Sequence, residues 1–263
     1  MKPVPIPFKA HLLPLFFTLF ALPTASAAVI YQHNFSGSPG NTLNGVALDT
    51  ANGTLGGTAG ATWLANSDRY FADGTITSTA SSASTYVPFA PVSGYEYTIT
   101  LNVDITSASS TNWVALSLFN GTPNTNGAFN TVSTTYASIG RRHSTGGGSS
   151  GTDLLRWQGP SNGGTNLHID EPKTGIWNIS ILLNTTNPAN WTFQWLMQAD
   201  DTEHLTGSYN LGTTTISHIM ISNTVNVSAD LSGFSVTAVP EPGLTLLSSL
   251  GTGLLAFRRA RRG

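Results

Sequence analysis

Hydrophobic and polar residues alternate over long stretches in the middle of this chain. From Tyr95 to Ile105 the apolar residues occupy every second position, and Glu96 falls among the polar residues between them. A period of two sustained over this length predicts a β-strand with one buried face and one face in water, with Glu96 on the wet face. The segments 177–184 and 191–198 alternate in the same way and are separated by a turn-rich segment, 185–189. We therefore predict that these two segments are neighbouring antiparallel strands.

Shorter apolar runs bounded by turn residues predict further strands. They lie at residues 29–35, 62–65, 85–89, 113–120, 154–158, 217–222 and 233–238. No segment between residues 28 and 238 has a helical period, and no repeat recurs at a fixed spacing. The segment 144–151 is rich in Gly and Ser, which is typical of a loop. This many short strands predicts an all-β, antiparallel β-sandwich in one domain, with a jelly roll as the first choice.

The N-terminal residues have the three-part order of an export signal. Lys2 and Lys9 precede an apolar stretch, 12–22, and Ala25-Ser26-Ala27 supplies the small residues that a signal peptidase requires. We interpret residues 1–27 as a signal peptide with an apolar helix, and the protein as exported. A buried core helix is the alternative, but the repeated prolines of this prefix disfavour it.

The C-terminus combines a proline-rich motif, a short apolar segment and a basic cluster. Pro240-Glu241-Pro242 is followed by an apolar segment, 244–257, and then by four arginines. The arginines are Arg258, Arg259, Arg261 and Arg262. The apolar segment predicts a helix of about 21 Å, and it is shorter than the ~20 residues of a comfortable bilayer span. We expect weak membrane retention, with the arginines on the cytoplasmic side and the body on the other side.

This C-terminal arrangement resembles the PEP-CTERM sorting signal of Gram-negative bacteria. The resemblance implies that a membrane-embedded exosortase recognises Pro240, Glu241 and Pro242, cuts near them and releases the protein. The implied processing partners are signal peptidase and the exosortase, with transient anchoring in the inner membrane. The implied destination is the cell surface or the exopolysaccharide matrix of a biofilm. An ordinary tail anchor is the alternative. On this interpretation residues 28–238 form the sandwich domain and residues 239–263 form the sorting signal.

The composition of the body limits its partners. Residues 28–239 contain five Lys and Arg against twelve Asp and Glu, a net charge of −7 with His neutral. Nucleic-acid binding is excluded because it requires a basic surface. Neutral or cationic partners are favoured over polyanions. Cysteine is absent, which excludes disulfides, thiolate metal ligands and a cysteine nucleophile in this chain.

A series of landmarks in the body resembles the concanavalin A-like lectin and laminin-G-like group. They are residues 31–35, 43–45, Trp63, 71–74, 94–97 and 231–236. The resemblance implies a concanavalin A-like sandwich, and it makes carbohydrate binding and glycoside hydrolysis the two functions to weigh.

The body has few glutamates and none in a catalytic motif, which disfavours catalysis. Glycoside hydrolases place two carboxyl groups roughly 5 to 10 Å apart across the scissile bond. The body has three glutamates, Glu96, Glu171 and Glu203, and none lies in the Glu-x-Asp-x-x-Glu motif of the laminarinase-like family. We therefore predict no enzyme and no catalytic residues, with a secreted polysaccharide-active glycoside hydrolase of the same fold as the alternative.

Acidic clusters offer the one candidate metal site. Asp200, Asp201 and Glu203 gather hard oxygen ligands of the kind that calcium takes. Calcium is therefore the candidate ion, and solvated turn residues are the alternative because the spacing is not that of a recognised calcium loop. No other cofactor is predicted. Zinc bound through His168 or His204 is disfavoured, since residues from distant segments would have to converge.

Tryptophans offer the candidate sugar contacts, since their rings stack on the apolar faces of sugars. Trp177, Trp191 and Trp195 share the phase of aliphatic neighbours, which predicts core positions. The pattern does not decide whether Trp63 and Trp113 are buried or exposed. Trp157 stands between Arg156 and Gln158 and is the candidate carbohydrate contact. The sequence thus predicts an exported, non-catalytic surface or matrix protein that binds extracellular polysaccharide. A purely structural matrix protein without a glycan ligand is the other alternative.

Overall fold

Two antiparallel sheets form the body of this protein in a computed structural model. The structure describes residues 26–66, 69–72, 74–78, 82–105, 113–127, 134–143, 152–158, 162–169, 175–199, 202–224 and 229–241. None of these residues is helical. The predicted signal helix, the C-terminal apolar helix and the Gly-rich segment 144–151 lie outside the described residues.

The described strands are numbered in chain order. They are β1 (Ala28–His33), β2 (Thr50–Ala51), β3 (Arg69–Ala72), β4 (Thr75–Ser78), β5 (Ser82–Pro88), β6 (Tyr95–Ile105), β7 (Trp113–Phe119), β8 (Thr135–His143), β9 (Thr152–Gln158), β10 (Asn162–Ile169), β11 (Trp177–Asn184), β12 (Thr192–Ala199), β13 (Thr202–Leu205), β14 (Tyr209–Asn210), β15 (His218–Thr224) and β16 (Ala229–Pro240).

Within the described ranges, the larger sheet has ten strands and the smaller has six. In the larger sheet the order is β13-β12-β11-β6-β16-β1-β2, with β14 beside β12 and the β3–β4 hairpin against β16. The smaller sheet has the order β10-β9-β8-β7-β15-β5. All strand pairings within the described residues are antiparallel. The predicted all-β antiparallel sandwich is confirmed at this level.

The main core lies between the two sheets. Strands β6 and β11 of the larger sheet contact β7 and β8 of the smaller one. Their inward side chains are buried at every second position, as the alternating pattern predicts. From β6 they are Tyr97, Ile99, Leu101 and Val103, and from β11 they are Trp177, Ile179, Ile181 and Leu183. The predicted core positions of Trp177, Trp191 and Trp195 are confirmed, and the predicted pairing of β11 with β12 is confirmed.

Strand β7 is buried on both of its faces. Leu116 and Leu118 belong to the main core, whereas Ala115 and Phe119 point the other way into a second cluster with Tyr86. This second cluster also contains Trp113 and Met220. A strand in which nearly every residue is apolar, as in β7 with Ser117 as the exception, is typical of burial on both faces. Trp113 of β7 is thus a core residue in the second cluster. Trp63, whose burial the pattern also left open, is buried in the main core.

One strand prediction was wrong. Residues 62–65 form no continuous strand but two isolated bridges, Thr62 with Ala47 and Leu64 with Tyr86. Trp63 donates its backbone N–H to Val46 O, whereas Leu64 donates its own to Tyr86 O. Successive residues thus bond to different segments, so no ladder with a single partner develops.

Candidate functional site

The outer face of the larger sheet is polar. It is formed by the residues of β6, β11 and β12 that alternate with the buried ones, and we call it the polar face. These residues are Glu96, Thr98, Thr100, Asn102, Asp104, Asn178, Ser180, Leu182, Asn184, Thr192, Gln194, Leu196 and Gln198. Hydroxyl and amide groups dominate this face, and its acidic residues are Glu96 at one end of β6 and Asp104 at the other.

The register of the three strands aligns these residues in rows. Glu96 lies opposite Asn184, which in turn lies opposite Thr192. The next outward row contains Thr98, Leu182 and Gln194. Together with Ser208 these two rows line a groove of about 180 Å³, which we call the polar groove. Three neighbouring strands therefore contribute side chains to one depression.

Hydrogen bonds fix the two amide side chains of the polar groove. Asn184 Nδ2 donates to Glu96 Oε1 at 2.9 Å, and Asn184 Oδ1 accepts from the backbone N–H of Thr186 at 3.0 Å. Gln194 Nε2 donates to the carbonyl oxygen of Thr206 at 2.9 Å. These bonds hold the amides in defined orientations, with Gln194 Oε1 and the second oxygen of Glu96 available as acceptors. A rigid set of this kind recognises hydroxyl groups without the cost of ordering long side chains.

A second hollow adjoins the polar groove at the end of the sheet. It measures about 460 Å³, and Asn190, Asn210, Gly212 and Thr213 contribute to its lining. Asn210 pairs directly with Thr192 of the polar groove, so the two depressions are neighbours. The result is a strip of amide and hydroxyl groups that runs from the sheet onto its end loops.

The described tryptophans offer no exposed ring for stacking on a sugar. Trp63, Trp113, Trp177, Trp191 and Trp195 are all buried. The candidate contact Trp157 lies in β9, where its backbone pairs with Ser138, and its side chain lies outside the described residues. The polar groove therefore depends on hydrogen bonds, with Leu182 as its outward apolar side chain.

The glutamates of the polar face and β13 are far apart. Glu203 lies opposite Gln198, three strands across and six residues along from Glu96. With strands ~4.8 Å apart and a rise of ~3.3 Å per residue, the two positions are separated by roughly 24 Å. This exceeds the roughly 5 to 10 Å that the two carboxyl groups of a glycosidase require.

A closer pair of carboxylates lies at the opposite end of β6, where Asp104 is directly across from Asp230. Cross-strand partners of this kind have Cβ atoms about 5 Å apart. Asp104 Oδ1, however, is 3.4 Å from Arg141 Nη1, in a partly buried ion pair. Since the guanidinium of Arg141 is buried, Asp104 serves to neutralise it, and this accounts for the position of the carboxylate.

The candidate metal ligands are only partly described. Glu203 is exposed on β13, and Asp200 and Asp201 lie outside the described residues. Within the part of the chain that the structure describes, no three His, Asp or Glu side chains are grouped so that they could hold a metal ion. The calcium site stays a prediction.

The predicted sorting motif begins at the end of the sandwich. Pro240 is the last residue of β16 and pairs with Tyr95, and the backbone N–H of Glu241 donates to Gly94 O at 3.2 Å. Strand β16 thus continues two residues past the predicted domain boundary at residue 238. Pro242 and the four C-terminal arginines lie outside the described residues. No helix with the length and apolarity of a membrane span occurs in the described ranges.

The alternating pattern predicts that Glu96 lies on the wet face, but it does not reveal the partners of Glu96 in the polar groove. Asn184 and Gln194 each fall on the polar phase of their strands, where any surface residue would fall. One feature of the sequence could have predicted this grouping. Asn184 and Gln194 lie on either side of the same turn, and antiparallel pairing of the two flanking segments places them on adjacent strands. Arg141 was missed as a core residue because strand β8 was not predicted and arginine side chains are usually exposed.

No protein-family model matches this chain, and no curated protein matches it. Solved structures with similar folds include the CBM2 module of the evolved Dit of Lactobacillus casei BL23 phage J-1, at 13% identity and a TM-score of 0.49, covering 82% of this chain and 97% of that chain. The carbohydrate recognition domain of Emp46p in its metal-free form has 11% identity and a TM-score of 0.45, covering 66% and 87%. A putative beta-glucanase from Mycobacterium abscessus has 8% identity and a TM-score of 0.44, covering 80% and 100%. At these values the similarities concern the arrangement of strands and carry no conclusion about ligand or activity.

Proposed function

We propose that this chain is an exported surface or matrix protein whose β-sandwich, of the jelly-roll, concanavalin A-like type, binds polysaccharide without cleaving it. The observation that carries the binding proposal is the polar groove, in which three strands align Glu96, Asn184 and Gln194. Sugar hydroxyls act as both donors and acceptors, so they match a groove lined by amides, hydroxyls and one carboxylate.

The charge of the body favours a neutral glycan. The body carries a net charge of −7, and Glu96 lies in the polar groove itself. Polyanionic polysaccharides would be repelled by both. The adjoining hollow at Asn190 and Asn210 extends the strip of hydrogen-bonding groups, which favours a chain of several sugars over a monosaccharide.

The absence of catalysis is supported by the positions of the described carboxylates. Glu96 and Glu203 are too far apart to act on one glycosidic bond, and Asp104 is paired with Arg141. A hydrolase would need a second carboxyl group at the polar groove, across the bound glycan from Glu96.

The export and sorting part of the proposal rests on the two ends of the sequence. The signal peptide, residues 1–27, directs export, and Pro240-Glu241-Pro242 with the following apolar segment and arginines holds the protein at the inner membrane. An exosortase then releases the body to the cell surface or matrix. Replacement of the tripeptide by alanines should leave a membrane-bound species, whereas Thr245→Ala in the apolar segment should not. Equal release of both variants would contradict the sorting proposal.

The binding proposal is tested by affinity electrophoresis of residues 28–241 against a panel of neutral and anionic polysaccharides. We expect saturable retardation by a neutral polysaccharide. Gln194→Ala should weaken the binding about tenfold, because one hydrogen bond is worth about 1.4 kcal/mol at the upper end of its range. Gln198→Ala, on the same strand and face but outside the polar groove, is the matched control. Equal loss in both variants, or no retardation, would contradict a glycan site in the polar groove, and release of new reducing ends would contradict a non-catalytic role.

A further inference from the structure

The two ends of the body leave the sandwich side by side. Ala28, which follows the predicted signal peptide, pairs with Ala238 on the adjacent strand β16. Two residues further along, Pro240 pairs with Tyr95 at the start of β6. The N-terminal and C-terminal processing signals thus adjoin neighbouring strands at one end of one sheet, which we call the processing end.

A rigid turn supports the C-terminal motif at the processing end. Gly94, whose carbonyl accepts from Glu241, donates its own backbone N–H to Thr185 O at 3.0 Å. Thr185 is fully buried, and its hydroxyl, with one hydrogen to donate, lies 2.7 Å from Val92 O and 2.8 Å from Tyr95 O and accepts from the backbone N–H of Tyr95 at 3.2 Å. The Tyr97 hydroxyl also accepts from Val92 N at 2.9 Å. The turn at residues 92–95 is therefore held by the side chains of Tyr97 in β6 and of Thr185, the residue that follows β11.

Strand β16 is an interior strand, with β6 on one side and β1 on the other. Its pairing with β6 runs from Ala229 to Pro240. Proteases cleave segments that are exposed and free of hydrogen bonds, and cleavage elsewhere requires local opening. Opening the end of β16 would break bonds to β6, to β1 and to the supported turn. The peptide bonds that precede Glu241 are accordingly protected in the folded body.

We propose that the folded sandwich sets the position of C-terminal processing, so that the cleaved peptide bond lies on the carboxyl side of Glu241. This inference rests on the proposed sorting function. In the cleavage the C–N bond breaks, the carbonyl carbon gains the oxygen of water, and the new amino group of the departing segment gains a proton. Pro240 and Glu241 stay on the released body, because they belong to the end of β16 and its supporting turn.

The first test identifies the C-terminal residue of the released body by mass spectrometry, after expression of the full chain in a host that contains an exosortase. We expect the body to end at Glu241 or at a later residue. A body that ends at Pro240 or earlier would overturn this inference while leaving the sorting function intact. A full chain that is never released would overturn the sorting function and this inference with it.

A second test does not depend on an exosortase. The full chain in detergent is treated with proteinase K, a protease of broad specificity, in buffer and after unfolding in urea. Native protein should be cut after Glu241 and spared between Ala229 and Glu241, whereas the unfolded chain should be cut throughout this range. Cuts within the range in native protein would overturn the inference, whatever the sorting experiment shows.

A matched pair of variants tests the role of the supported turn. Thr185→Val removes the buried hydroxyl that bonds to Val92 O and Tyr95 O, whereas Thr186→Val changes a neighbouring hydroxyl outside this turn. We expect Thr185→Val to add products that end before Glu241 and Thr186→Val to keep the parent pattern. Unchanged products from a folded Thr185→Val would overturn the role of the turn. If Thr185→Val does not fold, the inference is judged by the proteinase K products of the native parent protein alone.

Discussion

Arg141 on the smaller sheet and Asp104 on the larger sheet form a partly buried ion pair, with Arg141 Nη1 3.4 Å from Asp104 Oδ1. The same nitrogen donates to Val103 O and to Gly175 O, both at 2.7 Å. The guanidinium also lies 5.7 Å from the centre of the Trp177 ring. Burial lowers the pKa of Arg141 to about 10, and the Asp104 carboxylate opposes that shift. The side chain therefore stays charged at neutral pH and joins the two sheets.

Removal of this buried cation should strongly destabilise the fold. Arg141→Met should lower the free energy of unfolding by roughly 3 kcal/mol, since two backbone carbonyl groups lose their donor and Asp104 loses its partner. Asp104→Asn should cost about 1 kcal/mol or less, because that carboxylate is partly solvated and hydrogen bonding to an amide persists. Urea denaturation of both variants, with the parent as reference, gives the two values. Equal costs for the two variants would show that the ion pair, rather than the carbonyl bonds, dominates.

Acid should destabilise the sandwich through two histidines. Burial lowers the pKa of His33, with partial compensation by Asp49, and burial lowers the pKa of His218. The unfolded chain protonates its histidines near pH 6.5, whereas the folded chain protonates these two only at lower pH. As the pH falls below about 6.5 the unfolded state binds more protons, so stability falls until the folded residues also protonate.

The histidine prediction is checked by measuring the free energy of unfolding in urea at several pH values between 5.5 and 7.5, a window set around the unfolded histidine pKa of about 6.5. His33→Gln and His218→Gln should each flatten the pH dependence, and the double variant should flatten it further. A double variant with the slope of the parent would assign the acid sensitivity to other groups.

A glycine at a close backbone contact should tolerate no side chain. Gly56 has φ +89°, and a Cβ added there would lie 2.7 Å from the carbonyl carbon of Ala90. Gly60 has φ +65° but an added Cβ would meet open space. We expect Gly60→Ala to cost about 1 kcal/mol for the left-handed backbone alone. Gly56→Ala should cost roughly 3 kcal/mol or more, because the backbone must also shift.

Thermal and urea unfolding give the unfolding free energies of the two alanine variants. Because both glycines have the left-handed conformation, the backbone cost is common to both variants and the contact with Ala90 is what differs. The difference between their unfolding free energies measures the approach of Gly56 to Ala90. Similar values for Gly56→Ala and Gly60→Ala would contradict a close contact between these segments.

The carboxylate of the polar groove should contribute to glycan binding by accepting hydrogen bonds. Glu96→Gln keeps the shape and the bond to Asn184 but replaces a charged acceptor by a neutral one. On the proposed function, we expect about tenfold weaker binding of a neutral polysaccharide, because hydrogen bonds to charged groups are stronger by a factor of about two. Affinity electrophoresis measures the loss, with Gln198→Ala as control. Unchanged affinity would exclude Glu96 from the site.

The sequence by itself determined the long alternating strands β6, β11 and β12 and the face on which their residues lie. Alternation over β6, β11 and β12 fixes Tyr97, Trp177 and Trp195 as core residues because a one-residue shift would expose all of them to water. Local pattern also predicted the antiparallel pairing of β11 with β12, which a short turn enforces. The strand predicted at residues 62–65 does not form, because successive residues of this segment bond to different parts of the chain.

The tertiary structure alone decided which strands from distant parts of the chain lie together. Pairing of β6 with β11 brings Glu96 to Asn184, and pairing of β1 with β16 brings Ala28 to Ala238. It also decided that Arg141 is buried, since its charge is offset by Asp104 and by carbonyl groups that are remote in sequence. Periodicity reports which side of a strand faces water, but it holds no information about the strand on either side. The polar groove and the processing end follow from those pairings.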